Sequence, residues 1–155
     1  MSATQALDFL ARSGVLYRVH PYELTPTEAT YGEAVAATLG VDPERVFKTL
    51  VAVVDGSATV AIVPVNALLS LKNLARATGG KKAVMASPTD AERWTGYVVG
   101  GISPFGQKRK LPTLIDMSAE SLDTMYVSAG QRGLQVELSP SDVVKLTHAQ
   151  LAPLV

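Results

Sequence analysis

Few side chains in this sequence are equipped for covalent chemistry. It has no cysteine, and its two histidines are His20 and His148. The nucleophiles worth weighing are Lys48, Thr49, Ser103 and Ser128. None of these serines sits in the Gly-x-Ser-x-Gly turn that exposes a nucleophile at a strand–helix junction. Neither histidine lies near a candidate serine in sequence, and no two carboxylates are spaced as an evident acid–base couple. The chain offers binding groups more clearly than a catalytic triad. Two function classes therefore stay open: a pure binding module, or an enzyme whose reactive group comes from the substrate.

The binding groups fall in two places. The first is a glycine-rich stretch, in which Gly96, Gly100, Gly101 and Gly106 account for four of the 12 glycines, with Pro104 among them. Paired glycines let the backbone approach a ligand closely and adopt φ > 0 without steric cost, and a proline stiffens the exit. Ser103 adds a hydroxyl, and Lys108, Arg109 and Lys110 add three cations just beyond. A rigid loop of this kind suits an anionic or carbonyl-bearing ligand. It reads as a short strand (97–99), a tight loop and a return strand (113–115). The second place is Lys48, which interrupts the nearly continuous apolar run 46–54. A lysine on such a strand must snorkel to solvent or meet an anion. Thr49 beside it faces the opposite way by the period of two.

The elements that must hold these groups can be read in order. Residues 4–13 form an amphipathic helix stopped by Gly14, 15–19 a strand, and 20–26 a proline-broken connector carrying His20, Tyr22 and Glu23. A helix over 31–39 ends at Gly40, and Asp42-Pro43-Glu44 starts a short turn. Strands 46–54 and 58–63 flank Asp55-Gly56, a type I′ hairpin signal. A helix or helix pair follows over 66–78, then a short strand 83–86. Ser87-Pro88-Thr89-Asp90 and Ser139-Pro140-Ser141-Asp142 are capped helix starts. Residues 118–122 read as a helical turn, and 124–128 and 134–138 as strands. The expected fold is α/β of the α+β type: one domain over 1–155 with a mixed, largely antiparallel sheet or partly closed barrel and helices around it.

Composition narrows the partners. With 14 basic and 14 acidic residues the net charge is +0, which argues against broad binding of duplex DNA but leaves room for a local basic patch on one end of an RNA. No metal cluster, cofactor motif, signal peptide or membrane-length apolar run is evident, so a cytoplasmic protein is expected.

Three strings carry a more specific signal: Gly96-Tyr97-x-Val99-Gly100-Gly101-Ile102-Ser103-Pro104-x-Gly106-Gln107-Lys108, Val46-Phe47-Lys48-Thr49-Leu50, and Tyr126-Val127-Ser128-Ala129-Gly130-x-Arg132-Gly133-Leu134. In this order they resemble the YbaK/EbsC family of aminoacyl-tRNA deacylases, in particular the Cys-tRNA(Pro) deacylases, which are related to the editing domain of bacterial prolyl-tRNA synthetases. The resemblance implies that fold, no cofactor, and trans-editing hydrolysis of mischarged Cys-tRNA(Pro), assisted by the substrate's own thiol. A sister activity on Ala or Ser esters is the alternative, and a non-catalytic synthetase- or nucleotide-binding module the rival. It further implies catalytic roles for Lys48, Gly100, Gly101 and Pro104, and a substrate pocket with Tyr22, Thr49, Ile102, Ser103 and Ser128. Lys81, Lys82, Lys108, Arg109 and Lys110 would meet the tRNA acceptor end, with prolyl-tRNA synthetase as the implied partner. Gln135 and Glu137 stand where some members carry a different acid.

Overall fold

Two sheets that meet along one seam organise the chain, as seen in a computed structural model that describes residues 4–24 and 31–155. The elements are α1 (Gln5–Ser13), β1 (Arg18–Pro21), α2 (Tyr31–Leu39), β2 (Phe47–Val54), β3 (Ser57–Pro64), α3 (Leu71–Thr78), β4 (Ala83–Met85), α4 (Pro88–Thr95), β5 (Thr113–Asp116), β6 (Met125–Gln131), β7 (Leu134–Leu138), α5 (Pro140–Thr147) and β8 (Gln150–Ala152). Short 3-10 turns cover Pro43–Arg45 and Met117–Ser121. One sheet has the order β1-β7-β6 and is antiparallel. The other has the order β4-β2-β3-β5-β8, with β3–β5 and β5–β8 parallel. The expected α+β architecture is present, and the barrel is half-closed: among the described residues a single parallel bridge, Val46 to Tyr126, joins the sheets.

Burial explains why the strands stack this way. Phe47, Val51, Val60 and Ile62 meet Met125, Val127, Val136 and Leu138 between the sheets, with Leu10 and Phe105 closing that core. The opposite face of the same strands, Ala52, Val54, Ala61 and Val63, packs on Leu74, Leu114 and Leu154. β3 is thus buried on both faces, which its unbroken apolar run demands. Each large apolar side chain so buried stabilises the fold by about 1.5–3 kcal/mol.

Local signals were accurate where caps are strong. Ser87 and Ser139 accept from the backbone N–H of Asp90 and Asp142, with Pro88 and Pro140 in the first turn. Asp55 and Gly56 both take positive φ, 47° and 85°, as a type I′ hairpin requires. Three expectations change. Residues 97–99 form no strand: Tyr97 turns inward and its hydroxyl donates to the Phe105 carbonyl. The strand expected over 15–19 lies at Arg18–Pro21, because its pairing is dictated by β7 (Val19 opposite Val136) rather than by its own alternation. The helix expected from residue 66 begins only at Leu71, where the Ser70 hydroxyl caps the Asn73 N–H.

On the outer end of the three-stranded sheet, Glu137 accepts from Thr124 and lies 2.9 Å from His20 Nε2 and 3.4 Å from Arg45 Nη2. Arg45 also stacks over Tyr126, 5.2 Å from its centroid. Burial alone would raise the Glu137 pKa, but hydrogen bonds from Thr124 and His20 and the His20 charge hold it below the ordinary 4.5. A depressed carboxylate contributes stability that is full above the unfolded-state value and is lost as pH falls through the folded one. Melting temperature should therefore fall on acidification below about pH 4.5 more steeply for the natural chain than for Glu137→Gln. Parallel curves in a thermal series from pH 7 to 3 would rule the network out as an acid-sensitive element.

Candidate active site

The hydrogen-bond alternation of β2 decides where the cavity lies. In the β2–β3 hairpin, Val60 turns its N–H outward to the Pro112 carbonyl at 2.8 Å, and its partner Val51 turns its carbonyl outward to the Ala86 N–H at 3.0 Å. Counting back by two, Thr49 and Phe47 also direct their N–H and C=O away from β3. β4 covers that edge only opposite Ala52–Val54, since Ser87-Pro88 then starts α4. On the other side β6 touches β2 at Val46–Tyr126 and parts from it beyond. The gap between the diverging strands is a cavity of about 490 Å³.

Lys48, Thr49, Gly100, Ile102 and Ser128 line this cavity together. Three segments distant in sequence thus converge on one site. Lys48 and Thr49 point to opposite faces of β2, and both reach the cavity because it wraps the strand's bare edge. Lys48 is half-buried, and burial lowers its pKa against a weaker opposing effect from the Glu33 carboxylate. No described carboxylate lies within 4.0 Å of it. The lysine of the apolar strand therefore neither escapes to bulk solvent nor forms an ion pair among the described residues. It presents a partly desolvated cation to whatever fills the cavity, and such a cation favours an anion or a developing negative charge.

The glycine loop is a brace as well as a wall. Gly100 has φ 94°, and a Cβ there would stand 2.4 Å from Arg132 Nε. A Cβ on Gly101 would stand 2.8 Å from the Gln131 Cα. The loop is thus pressed against the β6–β7 turn, and both glycines are needed for that approach. Val99 N–H donates to Glu92 Oε2 at 2.8 Å, which ties the loop to α4. Gly101, Ser103 and Pro104 do not line the cavity. Ser103 is fully buried; its hydroxyl accepts from the Phe105 N–H and its carbonyl from Gln107 Nε2. It supports the loop from behind and is not a nucleophile facing a ligand. Tyr22 reaches the cavity at one remove, through a 2.8 Å hydrogen bond to the Tyr31 hydroxyl, and Tyr31 is in the wall.

The expected tRNA-facing cations are exposed but dispersed. The backbone N–H groups of Lys81 and Lys82 donate to Asp55 at the hairpin tip, roughly 23 Å along β2 from Lys48 at the usual strand rise. That is too far for one terminal nucleotide and within reach of a helical stem. Lys108 and Arg109 are tied by their backbone N–H groups to the Thr95 and Trp94 carbonyls at the end of α4, and Arg109 lies over Trp94. Pro88 and Ala91 of that helix line the cavity.

Several residues at the site were not singled out from sequence as site residues. Tyr31 and Glu33 open α2 and line the cavity, as does Gln135, which faces Ser128 in register. Arg132 stacks over Tyr31 at 4.9 Å and presses on Gly100, so it ties α2, the glycine loop and the β6–β7 turn at the cavity's edge. A signal for it existed, since Arg132 lies inside the Tyr126–Leu134 string.

Comparison with known proteins gives the family and the fold. The profile of the aminoacyl-tRNA editing domain matches residues 25–146. The chain belongs to that family. Among its relatives, the Enterococcus faecalis candidate Cys-tRNA(Pro)/Cys-tRNA(Cys) deacylase EbsC is 39% identical over 96% of this chain and 91% of its own. The Escherichia coli K12 multifunctional Ser/Thr-tRNA deacylase ProXp-y is 29% identical over 92% and 86%. A solved structure described as a candidate trans-editing enzyme for prolyl tRNA synthetase superposes with a TM-score of 0.83 at 23% identity, covering 99% of this chain and 98% of that one, and so shares the fold. This editing domain thus has its three family strings brought together at one cavity, with Lys48 in its wall.

Proposed function

We propose that this editing domain removes cysteine from mischarged tRNA(Pro), with the substrate's thiol as nucleophile. The observation that carries the reading is a cavity whose wall holds a partly desolvated lysine but no cysteine, no histidine and no hydrogen-bonded serine–base pair among the described residues. The likeness to EbsC over most of both chains supports it. The substrate Sγ attacks its own ester carbonyl, and the bond from that carbon to the ribose oxygen breaks. Amino acid leaves as a thiolactone, and the ribose oxygen takes the thiol's proton. The new ring of Sγ, Cβ, Cα and carbonyl carbon is small and strained, so the protein must hold the thiol close and stabilise the charge that develops on oxygen. Lys48 and the outward N–H of Thr49 are the donors placed for that. Prolyl-tRNA synthetase is the partner that would supply the mischarged tRNA, because small amino acids differ too little in binding energy for one site to sort them.

A second reading has its own support. Glu33 stands in the cavity wall as a carboxylate, and ProXp-y is named for Ser and Thr esters. An ester without a thiol would be cleaved by water, with Glu33 as general base. A deacylation time course on Cys-, Ser-, Ala- and Pro-tRNA(Pro) separates the two. The thiol-assisted reading expects loss of the cysteinyl ester well ahead of the others and little effect of Glu33→Gln. Comparable loss of the seryl ester that collapses in Glu33→Gln would replace it with the water mechanism.

A further inference from the structure

Arg132 stands at the lip of the cavity, where its contacts fix the guanidinium and leave its charge unmatched among the described residues. Its Cζ lies 4.9 Å from the centroid of the Tyr31 ring. That ring is itself anchored. The Tyr31 hydroxyl is 2.8 Å from the Tyr22 hydroxyl, and the Tyr22 N–H donates at 2.9 Å to the carbonyl of Gly133, the neighbour of Arg132. The aromatic platform and the guanidinium on it are therefore tied to the same turn. Elsewhere, Arg132 Nε and Nη2 come so near Gly100 that a Cβ there would stand 2.4 and 2.8 Å from them. Tyr31 and Gly100 both line the cavity. Arg132 is exposed, and no described carboxylate lies within 4.0 Å of it.

This arrangement is selective for one kind of ligand. A guanidinium stacked through its face keeps its N–H donors in the ring-like plane, where a further partner can take them. An oriented fork without a counter-ion suits an oxyanion held by two parallel hydrogen bonds. On an aminoacyl-tRNA the base, the ribose and the ester are uncharged, and a protonated α-amino group would be repelled. The anion nearest the ester is the phosphodiester one ribose away, on the 5′ side of the esterified nucleoside. With the ester against Lys48 in the wall, that group falls toward the lip. The lysines at the hairpin tip are too far along β2 to meet it.

We propose that Arg132 binds the phosphodiester on the 5′ side of the esterified adenosine, so that the site prefers esters of a polynucleotide 3′ end to esters of a free nucleoside. The proposal rests on the aminoacyl-ester reading above and adds the part of the RNA that is recognised. It also gives the missing side chain at Gly100 a use in binding, since a Cβ there would push the fork off the lip.

The test compares kcat/KM for the cysteinyl esters of adenosine, of adenosine 5′-(methyl phosphate) and of tRNA(Pro). The chains are the natural one, Arg132→Met, which keeps an unbranched stem over Tyr31, and Arg132→Lys, which keeps the charge without the fork. The natural chain should prefer the methyl phosphate to the adenosine ester by about tenfold or more, the worth of a charge-assisted hydrogen bond. Arg132→Met should cleave the two alike, and Arg132→Lys should keep part of the preference. On tRNA, the slope of log kcat/KM against log salt should become shallower by about 0.7 in Arg132→Met, as for one lost phosphate contact on a single strand. Equal loss on both small esters would make Arg132 a structural brace. A preference that survives in Arg132→Met, or one that appears only with whole tRNA, would place the contact elsewhere. Each of these overturns the proposal. Calorimetry with non-hydrolysable 3′-cysteinylamino-3′-deoxyadenosine, with and without the 5′-methyl phosphate, needs no turnover. A preference for the phosphorylated amide in a chain that cleaves no ester, lost in Arg132→Met, retains the subsite and drops the deacylase reading. Equal binding of the two amides by the natural chain removes the subsite whatever the turnover.

Discussion

Lys48→Ala is expected to slow Cys-tRNA(Pro) deacylation by about 100-fold or more, the usual cost of removing one group aimed at developing charge. The same change should leave the protein at least as stable. Burial lowers the Lys48 pKa in the folded state, so the fold holds the charged form at a cost. Lys48→Met separates the two roles most cleanly, because it keeps the aliphatic stem along the cavity wall and drops the charge. The linkage has a definite sign. Between the lowered folded value and the ordinary 10.5, the unfolded chain binds more protons than the folded one, so stability rises with pH there. Lys48→Met should lack that rise. Turnover and thermal unfolding on the same preparations check both halves. A variant with intact turnover would remove Lys48 from the chemistry, and a fall in melting temperature would mean that the lysine is structural.

The second large effect is expected at Gly101. A Cβ there meets the Gln131 Cα at 2.8 Å and the Arg132 N at 3.0 Å, and these are backbone atoms that cannot rotate aside. Gly101→Ala should cost about 1–3 kcal/mol of stability and lower turnover with it, since the loop that carries Gly100 and Ile102 must lift from the β6–β7 turn. Gly100→Ala differs in kind. Its obstruction is the end of a flexible side chain, Arg132 Nε at 2.4 Å, with a positive φ as a further cost of about 1–2 kcal/mol. Adding Arg132→Ala should therefore recover part of the stability lost in Gly100→Ala and none of that lost in Gly101→Ala. Denaturant unfolding of the two singles and two doubles gives the comparison. Equal rescue of both would mean that the loop does not rest on the turn backbone.

The sequence made Lys48 legible because an isolated charge in an apolar run needs a reason, and in the structure Lys48 lines the cavity. It made the hairpin and both Ser-Pro helix starts legible because those signals act within a few residues. Thr49 is the mixed case: the period of two correctly turned its side chain away from that of Lys48, yet both reach the cavity. What joins them is the bare strand edge, and an edge depends on where β4 stops, which no local pattern at Thr49 records. The 97–99 segment misled for a related reason. Tyr97-Val98-Val99 has strand composition, but the Tyr97 hydroxyl finds the Phe105 carbonyl and the neighbouring edge of β3 is taken by β5. Gln135 was noted only as a departure from an acid, because its place in the cavity wall depends on the pairing of β7 with β6, where it faces Ser128.

The bare edge of β2 has one more consequence. Strand β2 is buried between β3 and two cores, so its inward amides should be among the last in the molecule to trade hydrogen for deuterium. The Thr49 amide lies in the middle of that strand but has no strand to hold it among the described residues. In the empty protein it should exchange far faster than Lys48 and Leu50 on either side. A ligand seated against the edge should slow this one amide while its neighbours, already slow, stay as they were. Solvent labelling would thus find occupancy written on a single backbone position inside the most protected part of the chain.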